Sequence, residues 1–223
     1  MTDDIISCNI SKELILWKKN ENDNYPLYIV EKTLLNNEYV RDILQINDNI
    51  FITCGESLQC WNSQNYKLVK RLLYNCKGNN CVNKINDEYT GIFLLKDGDI
   101  LIFNNKTLNE TKIINLTSFS LTCLKTLKNN IIAIGIFDIK NKKSIINQYV
   151  INKKKNINEN NDINEIELIK LKSENIYNDD DYSSLKDYSW QRINIIDEIE
   201  NNVVLGFGGE NSKINGKLMI FKN

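Results

Sequence analysis

Phe51-Ile52-Thr53-Cys54-Gly55 followed by Leu58-Gln59-Cys60-Trp61-Asn62 is the stretch on which the fold turns. Two apolar runs flank the polar pair Glu56-Ser57. The first closes on a small residue, the second on an aromatic and then a polar one. The second pattern recurs at Leu14-Ile15-Leu16-Trp17-Lys18, Ile100-Leu101-Ile102-Phe103-Asn104 and Leu218-Met219-Ile220-Phe221-Lys222. A weaker copy reads Gln148-Tyr149-Val150-Ile151-Asn152. Trp17 to Trp61 is 44 residues, Trp61 to Phe103 is 42, and Phe103 to Ile151 is 48. Self-similarity at such a period marks a repeat architecture.

The flanking sequence repeats as well. A run closing on a small residue precedes the aromatic run at Ile5-Ile6-Ser7-Cys8, Ile131-Ile132-Ala133-Ile134-Gly135 and Val203-Val204-Leu205-Gly206. Polar turns such as Asn47-Asp48-Asn49, Asn86-Asp87-Glu88 and Lys128-Asn129-Asn130 come earlier. Before them stand alternating segments at Val40–Ile46, Val82–Ile85, Leu121–Leu127 and Ile193–Ile196. Further apolar segments follow at Leu27–Val30, Lys67–Leu73 and Thr111–Leu116. Runs of this length, rich in Ile, Val and Phe and bounded by Asn, Asp and Gly, read as strands. Asp97-Gly98 between two of them signals a hairpin. Four strands per period of about 43 residues is the arithmetic of a propeller blade. A β-sandwich gives no reason for the recurring aromatic. Only Ile163–Lys172 could be argued as helix. The expectation is all-β: a propeller of about five four-stranded blade-like units holding about 18 strands, incomplete or open.

The rest of the chain bounds the chemistry. Among 223 residues, 28 basic side chains face 29 acidic ones, without the basic footprint of a nucleic-acid binder. Histidine is absent, which removes the commonest general base and zinc ligand. No Ser-His-Asp set, Cys-His pair or phosphate-binding loop occurs, and Gly206-Phe207-Gly208-Gly209 lacks dinucleotide-loop spacing. Six cysteines form no CxxC pair and read as free thiols of a reducing compartment. No signal peptide or membrane span is legible. A single domain, residues 1–223, is expected, with a polar, flexible insertion at about 152–188. Within that insertion, Ile166–Leu171 suits the outer strand of the fourth unit.

Ile5–Cys8 with Leu14–Trp17, and Phe51–Trp61 again, resemble the middle strands of a WD-repeat (WD40-type) β-propeller blade. The resemblance covers nearly everything outside 152–188, on degenerate repeats. Trp17 is followed by Lys18 and Trp61 by Asn62 instead of aspartate, and the family's Gly-His dipeptide cannot occur. The usual histidine–aspartate network is therefore ruled out, and blade stability is expected from packing, with an Asn or Asp bonding a turn backbone. The resemblance implies a non-catalytic protein–protein interaction scaffold in a multiprotein complex, with no cofactor or metal and a cytoplasmic or nuclear setting. The competing reading is an accessory subunit binding RNA or an anionic lipid surface. In the family the entrance of a blade's first strand faces a partner surface. Tyr39, Arg41, Trp190 and Arg192 fall there and are the candidate partner-binding residues, of types enriched at hot spots. Trp17, Trp61, Phe103 and Phe221 are expected in the core.

Overall fold

The computed structural model describes residues 5–9, 12–20, 27–36, 38–76, 81–96, 98–138, 140–141, 143–155, 164–175, 193–199, 202–207 and 217–222. Among them are 18 strands in five antiparallel sheets, each a meander of consecutive strands. The first holds β1 (Ile5–Cys8), β2 (Glu13–Lys19) and β3 (Tyr28–Leu35). The second holds β4 (Val40–Asn47), β5 (Ile50–Gly55), β6 (Leu58–Asn62) and β7 (Leu68–Leu72). The third holds β8 (Val82–Lys84), β9 (Tyr89–Phe93), β10 (Asp99–Asn104) and β11 (Asn109–Asn115). The fourth holds β12 (Ser120–Thr126), β13 (Ile132–Asp138), β14 (Lys143–Lys155) and β15 (Asn164–Asn175). The last holds β16 (Ile193–Ile199), β17 (Asn202–Phe207) and β18 (Lys217–Lys222). Two compact units result, Met1–Asn79 with the first two sheets and Asn80–Asn223 with the other three.

The repeat is visible in hydrogen-bond register. The outer strand carries one extra residue just where the inner strand reaches its aromatic, between Leu16 and Trp17, Cys60 and Trp61, Ile102 and Phe103, and Gln148 and Tyr149. The unpaired residues are Glu31, Val69, Thr111 and Leu171, and all four are exposed. Such a bulge sharpens the local twist of an outer strand. It also corrects the alignment of the weak copy: Tyr149, not Ile151, holds the aromatic place, opposite Ile132 as Trp61 is opposite Phe51. Within 152–188, strand occupies 152–155 and 164–175, more than Ile166–Leu171 alone, and nothing there is helical among the described residues.

Asparagine closes the turns. Asn62 Oδ1 accepts from the amides of Gln64 and Asn65 at 2.9 and 3.0 Å, and Asn104 Oδ1 from Lys106 and Thr107 at 2.9 Å each. Four residues on, Tyr66 and Leu108 take matching left-handed conformations, φ 57° and 55°. A short amide side chain thus mimics a backbone turn in both sheets. In the hairpin between β9 and β10, Gly98 has φ +81°, which a side chain would strain. Asp97 lies outside the described residues.

Each unit has its own core. In unit 1, Leu14, Phe51 and Trp61 are buried between the two sheets, with Ile6, Cys8, Leu34, Val40, Ile43 and Tyr66 around them. The Phe51 and Trp61 rings stack at 6.2 Å. In unit 2, Cys123, Leu127, Ala133, Ile146, Ile193, Ile196 and Leu205 pack together. Phe103 is wholly buried and Trp61 buried, as expected, whereas Trp17 is half-buried. The Phe221 side chain lies outside the described residues. All six cysteines are free thiols.

Candidate functional site

Strands β5, β6 and β7, with the residues just before β4 and in the β5–β6 turn, build one side-chain network at the end of the β4–β7 sheet. Glu38 lies just before β4, Ser57 in the β5–β6 turn, Gln59 on β6 and Arg71 on β7. The Glu38 carboxylate, buried in this chain, accepts from Ser57 Oγ at 2.5 Å and from Gln59 Nε2 at 3.1 Å. It also pairs with the Arg71 guanidinium, whose Nε donates to Ser57 Oγ at 3.2 Å. Inward, the Thr53 hydroxyl donates to Gln59 Oε1 at 3.4 Å and accepts from Trp61 Nε1 at 3.0 Å. The network is continuous from a core indole to an arginine whose side chain is half exposed. A buried carboxylate with this many donors has its desolvation offset. The sequence reading, which expected packing and turn bonds only, missed it. Its one legible signal is Arg71, the third of only three arginines in the chain.

Beside this network the strand entrance is built from backbone. Tyr39 is exposed, and the Lys12 ammonium stands 4.5 Å from its ring centroid. Asn36, just after β3, donates its backbone N–H to the Lys12 carbonyl at 2.9 Å. Gly55 is required here, because a Cβ would overlap the Tyr39 carbonyl oxygen. Arg41 is the bulge residue between the Val40–Gly55 and Asp42–Cys54 pairs. Its Nη1 donates to the Cys76 carbonyl at 2.9 Å, while the Cys76 amide donates to the Gly55 carbonyl at 2.8 Å. A hydrogen bond with the Cys54 thiol draws the Cys76 thiol below its usual pKa against the opposing effect of burial, and the Arg41 cation acts in the same direction. Both thiols are buried, the setting of packing cysteines.

Of the four residues picked from sequence, the structure places Tyr39 and Arg41 at one strand entrance. Trp190 and Arg192 lie outside the described residues. Among the described residues no group of three or more His, Cys, Asp or Glu could hold a metal ion. No helix there is long and apolar enough to cross a membrane.

No protein-family model matches the sequence, and no curated protein matches it. Solved structures do. The C-terminal WD40 domain of Sif2 superposes with a TM-score of 0.59 at 11% identity, over 99% of this chain and 55% of that one. The β-propeller domain of Cps50 (Swd1) from Myceliophteria thermophila superposes with a TM-score of 0.62 at 12% identity, over 97% and 64%. The fold is that of a WD40-type β-propeller. This chain thus spans between half and two thirds of those propeller chains.

In this propeller the Trp61–Thr53–Gln59–Glu38–Arg71 network occupies a blade that has no histidine to anchor it. A second tryptophan blade has the first link: Trp17 Nε1 donates to Ser7 Oγ at 2.8 Å, and Ser7 sits opposite Ile15 as Thr53 sits opposite Gln59. In the blades with Phe103 and Tyr149 the equivalent positions are Ile92 and Ile134. Hydroxyl and indole go together, and so do aliphatic and phenyl or phenol.

Proposed function

We propose that this propeller is a non-catalytic protein-interaction scaffold, and that the end of the β4–β7 blade is a docking face. The observation that carries the reading is the conjunction of exposed Tyr39 and Arg41 with an Arg71 held by the buried Glu38 network. Tyrosine and arginine provide large amphipathic contacts, and an arginine fixed in advance loses less side-chain entropy on binding. Arg41, an exposed residue, is likewise tethered by its bond to the Cys76 carbonyl, leaving its other guanidinium N–H groups for a partner. Trp190 and Arg192, placed by the sequence at the entrance of the β16–β18 blade, are proposed to extend the same kind of surface. The partners are other proteins, within a multiprotein complex of the cytoplasm.

The test compares proteins captured by the wild-type chain and by a Tyr39→Ala/Arg41→Ala variant, quantified by mass spectrometry after circular dichroism confirms the fold. Selective loss of a set of partners is expected. An unchanged set removes the face, and a wild type with no specific partner removes the scaffold reading altogether.

A further inference from the structure

Among the described residues β3, β7, β11 and β15 form the outer edges of their sheets, and one of them is chemically unlike the rest. Strand β3 carries Glu31 and Lys32, and β11 carries Glu110 and Lys112. Strand β15 carries Glu165, Glu167 and Glu174 against Lys170 and Lys172. Strand β7 reads Leu68-Val69-Lys70-Arg71-Leu72, with Lys67 before it and Leu73 after it, and has no acidic residue. Its charge stays positive even with Glu38 counted against Arg71. The same segment exposes apolar surface: Leu68 is 48% accessible, Val69 51% and Leu73 84%. Among the described residues β7 pairs only with β6, so its other edge has no strand partner there.

An exposed strand edge is a template for another strand, which proteins usually blunt with charge or bulges. The Val69 bulge is no such device here, since β3, β11 and β15 have one at the equivalent place. Three exposed aliphatic side chains are also the opposite of blunting. The cations do exclude one occupant. A second copy pairing antiparallel through β7 would set Lys70 and Arg71 against their own kind, which is destabilising directly across a ladder. A segment alternating acidic and aliphatic residues meets both features: carboxylates opposite Lys67 and Lys70, aliphatics over Leu68, Val69 and Leu73.

We propose that the outer edge of β7 takes an extended acidic segment of a partner protein as an added fifth strand. Main-chain hydrogen bonds supply affinity and the alternating side chains supply selectivity. This inference rests on the scaffold reading; it shares Arg71 with the end face but uses the edge of β7 instead of Tyr39 and Arg41.

The experiment uses the full chain and two labelled peptides, one alternating aspartate with valine and one alternating lysine with valine, followed by fluorescence anisotropy and amide hydrogen exchange. The aspartate peptide is expected to bind, the lysine peptide not. The amides of Leu68–Leu72 should gain protection on binding, because half of them acquire a partner. A Lys67→Glu/Val69→Glu variant changes two exposed side chains and should weaken binding at least about tenfold. Absence of binding, equal binding of both peptides, or an unaffected variant overturns the inference. So does protection gained at 39–42 with β7 unchanged, an outcome that would leave the end-face reading standing. Displacement of the aspartate peptide by an RNA oligonucleotide with equal sensitivity to the variant also overturns it, because charge alone would then be recognised.

Discussion

The two units solve one packing problem with different chemistry. Where the two sheets of unit 1 meet, the core is aromatic: Trp61 stacks on Phe51 against Leu14, and each tryptophan donates its indole N–H to a hydroxyl on the neighbouring strand. The rim of that junction is held by cations over rings, Lys12 on Tyr39 and Lys32 on Tyr66. Where the β12–β15 and β16–β18 sheets of unit 2 meet, the core is aliphatic, with Ile146, Ile193, Ile196 and Leu205 around Cys123. Its rim is held by carboxylates: Asp197 pairs with Lys125 at 2.8 Å, and Glu198 accepts from the Lys128 amide at 2.8 Å. A tryptophan brings a donor that must be satisfied when buried, so it commits its neighbour to a hydroxyl. A phenylalanine makes no such demand, and the neighbour is free to be isoleucine. The repeat therefore conserves shape at the aromatic position while polar partners vary with the ring.

The largest effect should come from the aromatic position in unit 2. Phe103 is wholly buried, and its only contribution is packing. Phe103→Ala should cost about 3–5 kcal/mol, the transfer loss plus the cavity left behind. Urea titration measures the cost, and hydrogen exchange should show protection falling first in β9–β11. A loss of less than about 1 kcal/mol would mean the ring is not the packing centre that the comparison requires.

Next comes the hydroxyl. Thr53→Val keeps the shape and leaves a buried indole N–H without an acceptor, for about 1–3 kcal/mol. Combining it with Trp61→Phe copies the unit 2 arrangement. The double variant should be less destabilised than the sum of the two single ones, which a thermodynamic cycle measures. Strict additivity would break the pairing of ring and neighbour. Ser7→Ala tests the same bond where Trp17 is half-buried and water can replace the hydroxyl, so it should cost less than Thr53→Val.

How far the sequence reached follows from the range of the interactions. Ile100–Phe103 and Leu58–Trp61 announce themselves because strand propensity and the terminal aromatic are local. Asn62 and Asn104 are equally local, each bonding amides two and three residues away. Strand β9 carries no such local signal. Its small residue, Gly91, falls mid-strand, where a Cβ would crowd Leu124, Ile100 and Ile85, instead of closing the run. The sequence around Tyr149 points two residues too far along, to Ile151, because Gln148 and Asn152 give no apolar frame. The Glu38 network was illegible for a different reason. Its partners Ser57, Gln59 and Arg71 lie 19, 21 and 33 residues away, brought together only by the curl of a whole blade. Tyr39 and Arg41 are candidates by residue type and strand position, and the structure adds what holds them: the Gly55 contact and the Cys76 carbonyl.

The smallest effect belongs to the rim of unit 2. Its hydrogen bond to Lys125, the backbone N–H of Glu198 and the Lys125 charge hold Asp197 below its ordinary value of 3.8, against a smaller opposing effect of burial. A carboxylate with a depressed folded pKa stabilises the fold above the unfolded value and loses that contribution as pH falls through the folded one. The pair should therefore be at full strength at neutral pH and be lost in acid as pH falls through that depressed folded value. Both side chains are partly exposed, so the contribution is about 0–1 kcal/mol and shrinks with added salt. In Lys125→Ala the Asp197 titration, followed by carboxyl NMR, should move up toward the ordinary aspartate value while urea stability barely changes. A cost of several kcal/mol would show that the rim of unit 2 carries weight its aliphatic core does not, and the contrast with the aromatic junction of unit 1 would have to be redrawn around charge.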